Sequence, residues 1–187
     1  MKENKYFSVH RIALIGILAA AIFVLTKFVS IPIPSPLGKT ALSVGNAMCI
    51  LSALLFVTGG LAAGVGNALV DLSDPAWAPE FWITFINKFL MTFVAGLVMH
   101  KVKLGRENIR IWFAGLLGAL TYSLLYVAKN IVLGVVKQGF TWEVAIVETL
   151  TLKLPVSLAN GVIAVICAGL LYLILKQPLR KAHVLQS

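Results

Sequence analysis

The chain has 187 residues, 59% of them hydrophobic and 12% charged, with a mean hydropathy of +0.94 and a formal net charge of +9. A water-facing domain cannot hide so much apolar surface, so the composition is that of an integral membrane protein. The positive charge does not point to nucleic acid, because the basic residues fall in short clusters beside apolar runs with no soluble module attached.

At about 20 residues per helical crossing the chain accommodates five or six spans and short loops, so one polytopic domain over 1–187 is expected. The basic start "MKENKYFSVHR" leads into an apolar run with no small-residue cleavage pattern before "KFVSIPIPSP", which predicts a retained first helix. Apolar runs occupy approximately 12–30, 41–58, 60–73, 81–100, 112–133 and 144–175. In the first, Gly16 and Ala20 lie one turn apart, with Ala13, Ala19 and Ala21 nearby, and make a smooth surface for packing inside the monomer or docking on another membrane subunit. Between the first two runs "IPIPSPLGKTALSVGN" alternates three prolines, Pro32, Pro34 and Pro36, which hold it extended with few internal hydrogen bonds. Gly38 supplies a pivot there, and Lys39, Ser43 and Asn46 supply polar reach.

Residues 41–72 as a single helix would be about 48 Å long, too long for a hydrocarbon core of about 30 Å. A break at Thr58-Gly59-Gly60 converts them into a helical hairpin. Six crossings then put both termini and the loop 100–110 on one side, with Lys2, Lys5, Arg11, Lys101, Lys103, Arg106, Arg110, Lys176, Arg180 and Lys181. The opposite loops "DLSDPAWAPE" and "VVKQGFTWE" carry carboxylates and only Lys137. The positive-inside rule therefore predicts six transmembrane helices, an all-α fold and cytoplasmic termini. The third span is short, and its Gly60, Ala63, Gly64 and Gly66 suit close helix contact.

Ionised side chains at membrane depth are costly, at about 2.5–3.5 kcal/mol each on insertion scales, so their positions are informative. Asp71, Lys88, Lys129, Glu148 and Lys153 fall near the predicted outer ends of spans, with Asn46, Asn67, Asn87, Asn130 and Tyr126. In the fourth run Trp82, Phe85 and Phe89 form one stripe beside Thr84, Asn87 and Lys88. The fifth contributes Tyr122 and Tyr126. The sixth contributes Ser157 and Asn160 around Pro155, which leaves the Thr151 carbonyl without its usual helical donor. Individually these residues have structural explanations: Asp71 pairing with Lys88, or Asn67 capping a neighbouring carbonyl. Together they describe an outward pocket with aromatic walls and convergent polar groups, suited to a flat polar heterocycle. Cys49 and Cys167 read as small apolar packing residues. The histidines His10, His100 and His183 lack ligand spacing, and HExxH, GxSxG and a Walker lysine are absent. No catalytic residue, metal site or cofactor is expected.

The small-residue patch "GILAA", the proline-rich first loop, "GGLAAGVGNALVDL" and "PEFWITFINKFLMTFVAG" give the chain a specific likeness. It resembles the substrate-binding S component of an energy-coupling factor (ECF) transporter along essentially its whole length. It is most similar to the group assigned to pyridoxine or hydroxymethylpyrimidine, itself related to the riboflavin-type group. The resemblance implies a vitamin or vitamin precursor bound with high affinity on the outer side of a prokaryotic plasma membrane. It implies partners too: a transmembrane coupling subunit and two cytoplasmic ATPases. The family's AxxxA docking patch is matched here only as Gly16-x-x-x-Ala20. The family's pocket is formed by the first external loop and the outer halves of helices four to six.

Substrate contacts are expected from Asn46, Trp82, Asn87, Lys88, Tyr126, Lys129, Asn130 and Lys153, then from Trp77, Trp142 and Glu148, with Asp71 either structural or functional. Pro32, Pro34, Pro36 and Lys39 are expected to form a semi-rigid lid. Riboflavin and cobalamin remain alternative substrates. A solitary ion-coupled transporter is the alternative mechanism, with Asp71 and Lys88 as a relay.

Overall fold

The first apolar run folds as helix α1 (Val9–Phe28), and the chain leaves it where the prolines begin. The computed structural model describes residues 9–35, 38–57, 59–102 and 105–181. After α1 come two short antiparallel strands, β1 (Ser30–Ser35) and β2 (Gly38–Ser43), paired Ser30 to Ser43, Pro32 to Ala41 and Pro34 to Lys39. Pro32 and Pro34 are two residues apart and take equivalent ladder positions. A proline fits only where its missing N–H would face away from the partner strand, so Ile31, Ile33 and Ser35 are left as the ladder donors of β1. The otherwise helical fold therefore carries a β-hairpin that an all-α reading does not include, and residues 41–43 belong to β2 rather than to a second span. Pro36 lies outside the described residues, as do the side chains of Pro34 and Lys39.

Helix α2 (Gly45–Leu55) is the centre of the molecule, with every residue but Met48 buried. It packs against α1 and the four long or buried helices that follow: α3 (Gly59–Leu72), α4 (Phe81–Lys101), α5 (Glu107–Val136) and α7 (Leu154–Lys181). Phe56 is extended and interrupts the helix between α2 and α3, just before the expected break at Thr58-Gly59-Gly60, and Gly59 and Gly60 themselves open α3. The Ser52 hydroxyl bridges the interruption, donating to the carbonyls of Cys49 (2.7 Å) and Gly59 (3.1 Å). A side chain at residue 59 would strike the Ser52 carbonyl, so a residue without Cβ is required there. At about 1.5 Å per residue α2 and α3 reach only about 16 and 21 Å, short of the core thickness of about 30 Å.

Among the described residues three helical stretches are long and apolar enough to cross a membrane: Ala78–Lys101, Glu107–Val136 and Trp142–Lys181. The last consists of α6 (Trp142–Glu148), a π-helical turn (Thr149–Lys153) and α7. The wider turn immediately precedes Pro155, where the α-helical pattern lacks a donor, and Leu154 N–H bonds five residues back to Thr149. Small residues set the spacing of the helices. Phe89 and Phe85 lie over Gly60 and Gly64, and Gly118 lies against Ala95 and the Met91 carbonyl. The apolar core runs through Ile22, Ile50, Leu54, Met91 and Ile111.

Candidate functional site: a polar cavity under the hairpin

Where α1 ends and α4 and α7 begin, the helices diverge around a cavity of about 440 Å³, within the range of small-molecule sites. Its walls are unusually polar for a chain of this composition. Asn46, Asn67, Asn87, Lys88, Ser157 and Asn160 all line it and are all buried. Trp77, Tyr122 and Tyr126 supply the aromatic surfaces, and the two tyrosine rings lie 5.7 Å apart.

Each cation lining the cavity, the buried Lys88 and the half-buried Lys129 and Lys27, has a partner within the protein. Lys88 Nζ donates to Asn46 Oδ1 and sits 3.8 Å from the centroid of the Tyr122 ring, a cation–π contact. Lys129 pairs with Glu80 at 2.7 Å, and Glu80 also takes Lys137 at 2.9 Å. Lys27 Nζ reaches the Ser73 hydroxyl at 2.9 Å. The alternative pairing of Asp71 with Lys88 is not among the ion pairs of the described residues. Asp71 lies beside the Thr84 hydroxyl, and its Oδ2 is buried without a partner. Asn67 does cap a carbonyl, donating to Ala63 (2.9 Å) and also to Cys49 Sγ (3.2 Å).

Helix α7 pins the hairpin over this cavity. Asn160 Oδ1 accepts the Ser43 N–H (2.8 Å) while its Nδ2 donates to the Ala41 carbonyl (2.7 Å), so one amide imitates the edge of a neighbouring strand. Thr40 and Tyr126 join their hydroxyls at 3.0 Å, a second attachment to α5. Pro32, Thr40, Ala41 and Ser43 face the cavity.

Among the residues expected from sequence, Asn46, Asn87, Lys88, Tyr126 and Lys129 line the cavity, as does Trp77. Trp82, Asn130 and Lys153 do not, and neither do Trp142 and Glu148. Trp82 is more than half exposed on the outside of α4, because its stripe with Phe85 and Phe89 covers α3 rather than the cavity. Lys153 donates to Asn130 Oδ1 (2.8 Å) and Asn130 to the Tyr126 carbonyl (2.7 Å), a network tying the π turn to α5. Thr84, noted in the sequence beside Asn87 and Lys88, lines the cavity, and Thr26 and Thr40 line it without having been singled out. Threonines near span ends carry no distinctive signal, and only the helical register of Thr84 with Lys88 hinted at its position. On α1, Gly16 and Ala20 are exposed, and a Cβ at residue 16 would meet nothing within 4 Å.

These features define a polytopic membrane protein with a ligand-sized cavity, lined by polar side chains, at one end of its helices. The family model for the ECF-type riboflavin transporter S component matches residues 6–177, and the chain belongs to that family. It is a transport subunit of the membrane, and its family is not one of enzymes. The chain is similar to an uncharacterized protein in the gap 3' region of Pyrococcus woesei, 34% identical over 117 residues, covering 60% of this chain and 73% of that one. It is also similar to a UPF0397 protein of Lactiplantibacillus plantarum, 32% identical over 106 residues, 56% of this chain and 55% of the relative.

Proposed function

We propose that this protein captures a vitamin or vitamin precursor in the cavity beneath the hairpin and delivers it through an ECF-type importer. One observation carries the reading: in a chain of the S-component family, a cavity of about 440 Å³ lined by buried polar side chains sits beneath a two-stranded hairpin. In this reading Asn46, Asn87, Lys88, Tyr126 and Lys129 contact substrate. Trp82, Asn130 and Lys153 support the wall from outside.

The cavity end faces outward. Lys101, Arg106, Arg110, Lys176, Arg180 and Lys181 gather with Glu107 at the other ends of α4, α5 and α7, whereas at the cavity end Lys27, Lys129 and Lys137 are accompanied by Asp71, Asp74 and Glu80; this asymmetry supports, through the positive-inside rule, six crossings with cytoplasmic termini. The exposed patch at Gly16 and Ala20, flanked by exposed Ile12, Ile17 and Val24, docks on the coupling subunit, whose two ATPases power release. The hairpin, with Pro32, Pro34 and Lys39 in its strands, is the lid, and the same role is assigned to Pro36 from its place in the sequence alone. A flavin is favoured by the family match, pyridoxine or hydroxymethylpyrimidine by the motif resemblance, and a ligand of cobalamin's bulk is disfavoured by the cavity volume.

Calorimetric titration of the detergent-purified protein with riboflavin, pyridoxine, hydroxymethylpyrimidine and cobalamin tests the proposal. One of the first three binds with submicromolar affinity and raises the melting temperature by mass action. Absence of saturable binding by any of them overturns it.

A further inference from the structure

Three carboxamides on three helices line the cavity, Asn46 of α2, Asn67 of α3 and Asn87 of α4, and all three residues are buried. They share one part of the wall. Lys88, next to Asn87 in the chain, donates to Asn46 Oδ1, and Asn67 donates to the sulfur of Cys49, one turn along α2 from Asn46. Their bonds within the protein differ. Asn46 commits its oxygen to Lys88, and Asn67 commits its nitrogen to the Ala63 carbonyl and the Cys49 sulfur. Among the described residues no hydrogen bond uses the Asn87 amide, and neither its oxygen nor its nitrogen is among the unpartnered side-chain atoms sealed from solvent. The Asn87 amide is therefore open to the cavity it lines, as are the remaining Asn46 nitrogen and Asn67 oxygen.

A buried amide that serves the fold is bonded, as those of Asn67 and Asn160 are, whereas an amide left open holds nothing together in the empty protein. Alanine would also suit the helix better at residue 87. What an unbonded carboxamide offers is recognition: an acceptor and two donors side by side in one plane, the match for a ligand edge on which a donor stands next to an acceptor. Water can occupy that edge until a ligand arrives. A ligand with the matching edge replaces the water bond for bond, and one without it leaves the amide unpaired. Sites built on such bonds reject the analogue lacking them far more strongly than apolar pockets discriminate by size.

Resting on the vitamin-binding reading, we infer that Asn87 is the specificity-determining residue of the cavity: it selects ring systems that carry an N–H donor directly beside a carbonyl or ring-nitrogen acceptor. The ligand N–H donates to Asn87 Oδ1, and the ligand acceptor receives Asn87 Nδ2–H. The open Asn46 nitrogen and Asn67 oxygen add one donor and one acceptor for groups beyond that edge. A lactam, an imide and an aminopyrimidine meet the requirement, and a ring alkylated on that nitrogen or carrying acceptors alone does not.

Two probe pairs isolate the edge: riboflavin against its N3-methyl derivative, and 4-amino-5-hydroxymethyl-2-methylpyrimidine against the same compound with hydrogen in place of the amine. Calorimetry on the full chain in detergent is expected to give at least tenfold tighter binding for the N–H member of whichever pair binds. In Asn87→Ala that ratio falls to within about twofold because the N–H member alone weakens, and the ligand-free melting temperature does not drop. Four results overturn the inference and leave vitamin binding standing: a wild-type ratio near one, equal weakening of both members in Asn87→Ala, a clearly lowered melting temperature of that variant, or saturable binding of pyridoxine with neither N–H probe bound. No binding by riboflavin, the aminopyrimidine or pyridoxine overturns vitamin binding itself, and the role of Asn87 with it.

Discussion

Replacing Asn160 with alanine is expected to loosen the hairpin without disturbing the helices around it. The Asn160 amide makes two bonds to β2, at 2.8 and 2.7 Å, and no other side chain of α7 is seen to hold the strand by hydrogen bonds among the described residues. Two net hydrogen bonds at about 1 kcal/mol each, with up to about 1 kcal/mol more for the backbone groups left behind, give about 2–3 kcal/mol favouring the open hairpin. At 1.4 kcal/mol per factor of ten, opening becomes about 30- to 140-fold more frequent. Amide hydrogen exchange at Ser43, whose N–H is held by Asn160, read by mass spectrometry in detergent without ligand, should accelerate by that factor while the ladder amides shared with β1 keep their protection, and ligand dissociation should quicken in parallel. Thr40→Val removes only the 3.0 Å bond to Tyr126 and should give about a fivefold effect. Unchanged exchange at Ser43 in Asn160→Ala refutes the latch. Weakened ligand binding with unchanged exchange would make Asn160 a ligand contact instead.

Gly16→Leu and Ala20→Leu should leave ligand affinity within about twofold and abolish uptake by the assembled transporter, because both positions are exposed and remote from the cavity; loss of ligand binding would argue against a docking role. Gly118→Ala places a Cβ 2.9 Å from both the Ala95 Cβ and the Met91 carbonyl, so overpacking should cost about 1–3 kcal/mol and lower the melting temperature. Deleting Pro32 to Pro36 should weaken substrate retention more than membrane insertion, measured as ligand half-life against the yield of folded protein; equal losses would make the segment a spacer.

The long apolar stretches were legible from hydropathy and length, and the interruption between α2 and α3 was legible to within a few residues from the Thr58-Gly59-Gly60 signal, although the two glycines open α3 and the chain breaks just before them. The region of the cavity was legible for a related reason: polar side chains at membrane depth are too costly to be scattered, so their concentration near one set of helix ends marks a shared wall. What the sequence does not resolve is which side of a helix faces that wall. Trp82 and Lys88 both sit on α4, yet one points outward and the other into the cavity, a choice made by Gly60 and Gly64, which draw Phe89 and Phe85 onto α3. Lys153 illustrates the same limit, because the π turn beside it alters the helical register that a regular wheel assumes.

The hairpin was the least legible element, since alternating prolines ordinarily argue against a strand. Here the alternation is what makes one possible. Prolines at every second residue surrender only the donors that face away from β2, and the remaining donors suffice for a two-stranded ladder. That choice also leaves the outer edge of β1 poor in N–H groups, which discourages further strand addition. The edge of β2 keeps its donors and acceptors, and Asn160 engages them through Ser43 and Ala41. Among the described residues one amide and one hydroxyl pair tie β2 by side-chain hydrogen bonds to the helices, so, under the proposed lid role, the hairpin can swing open at modest cost while its paired strands stay intact.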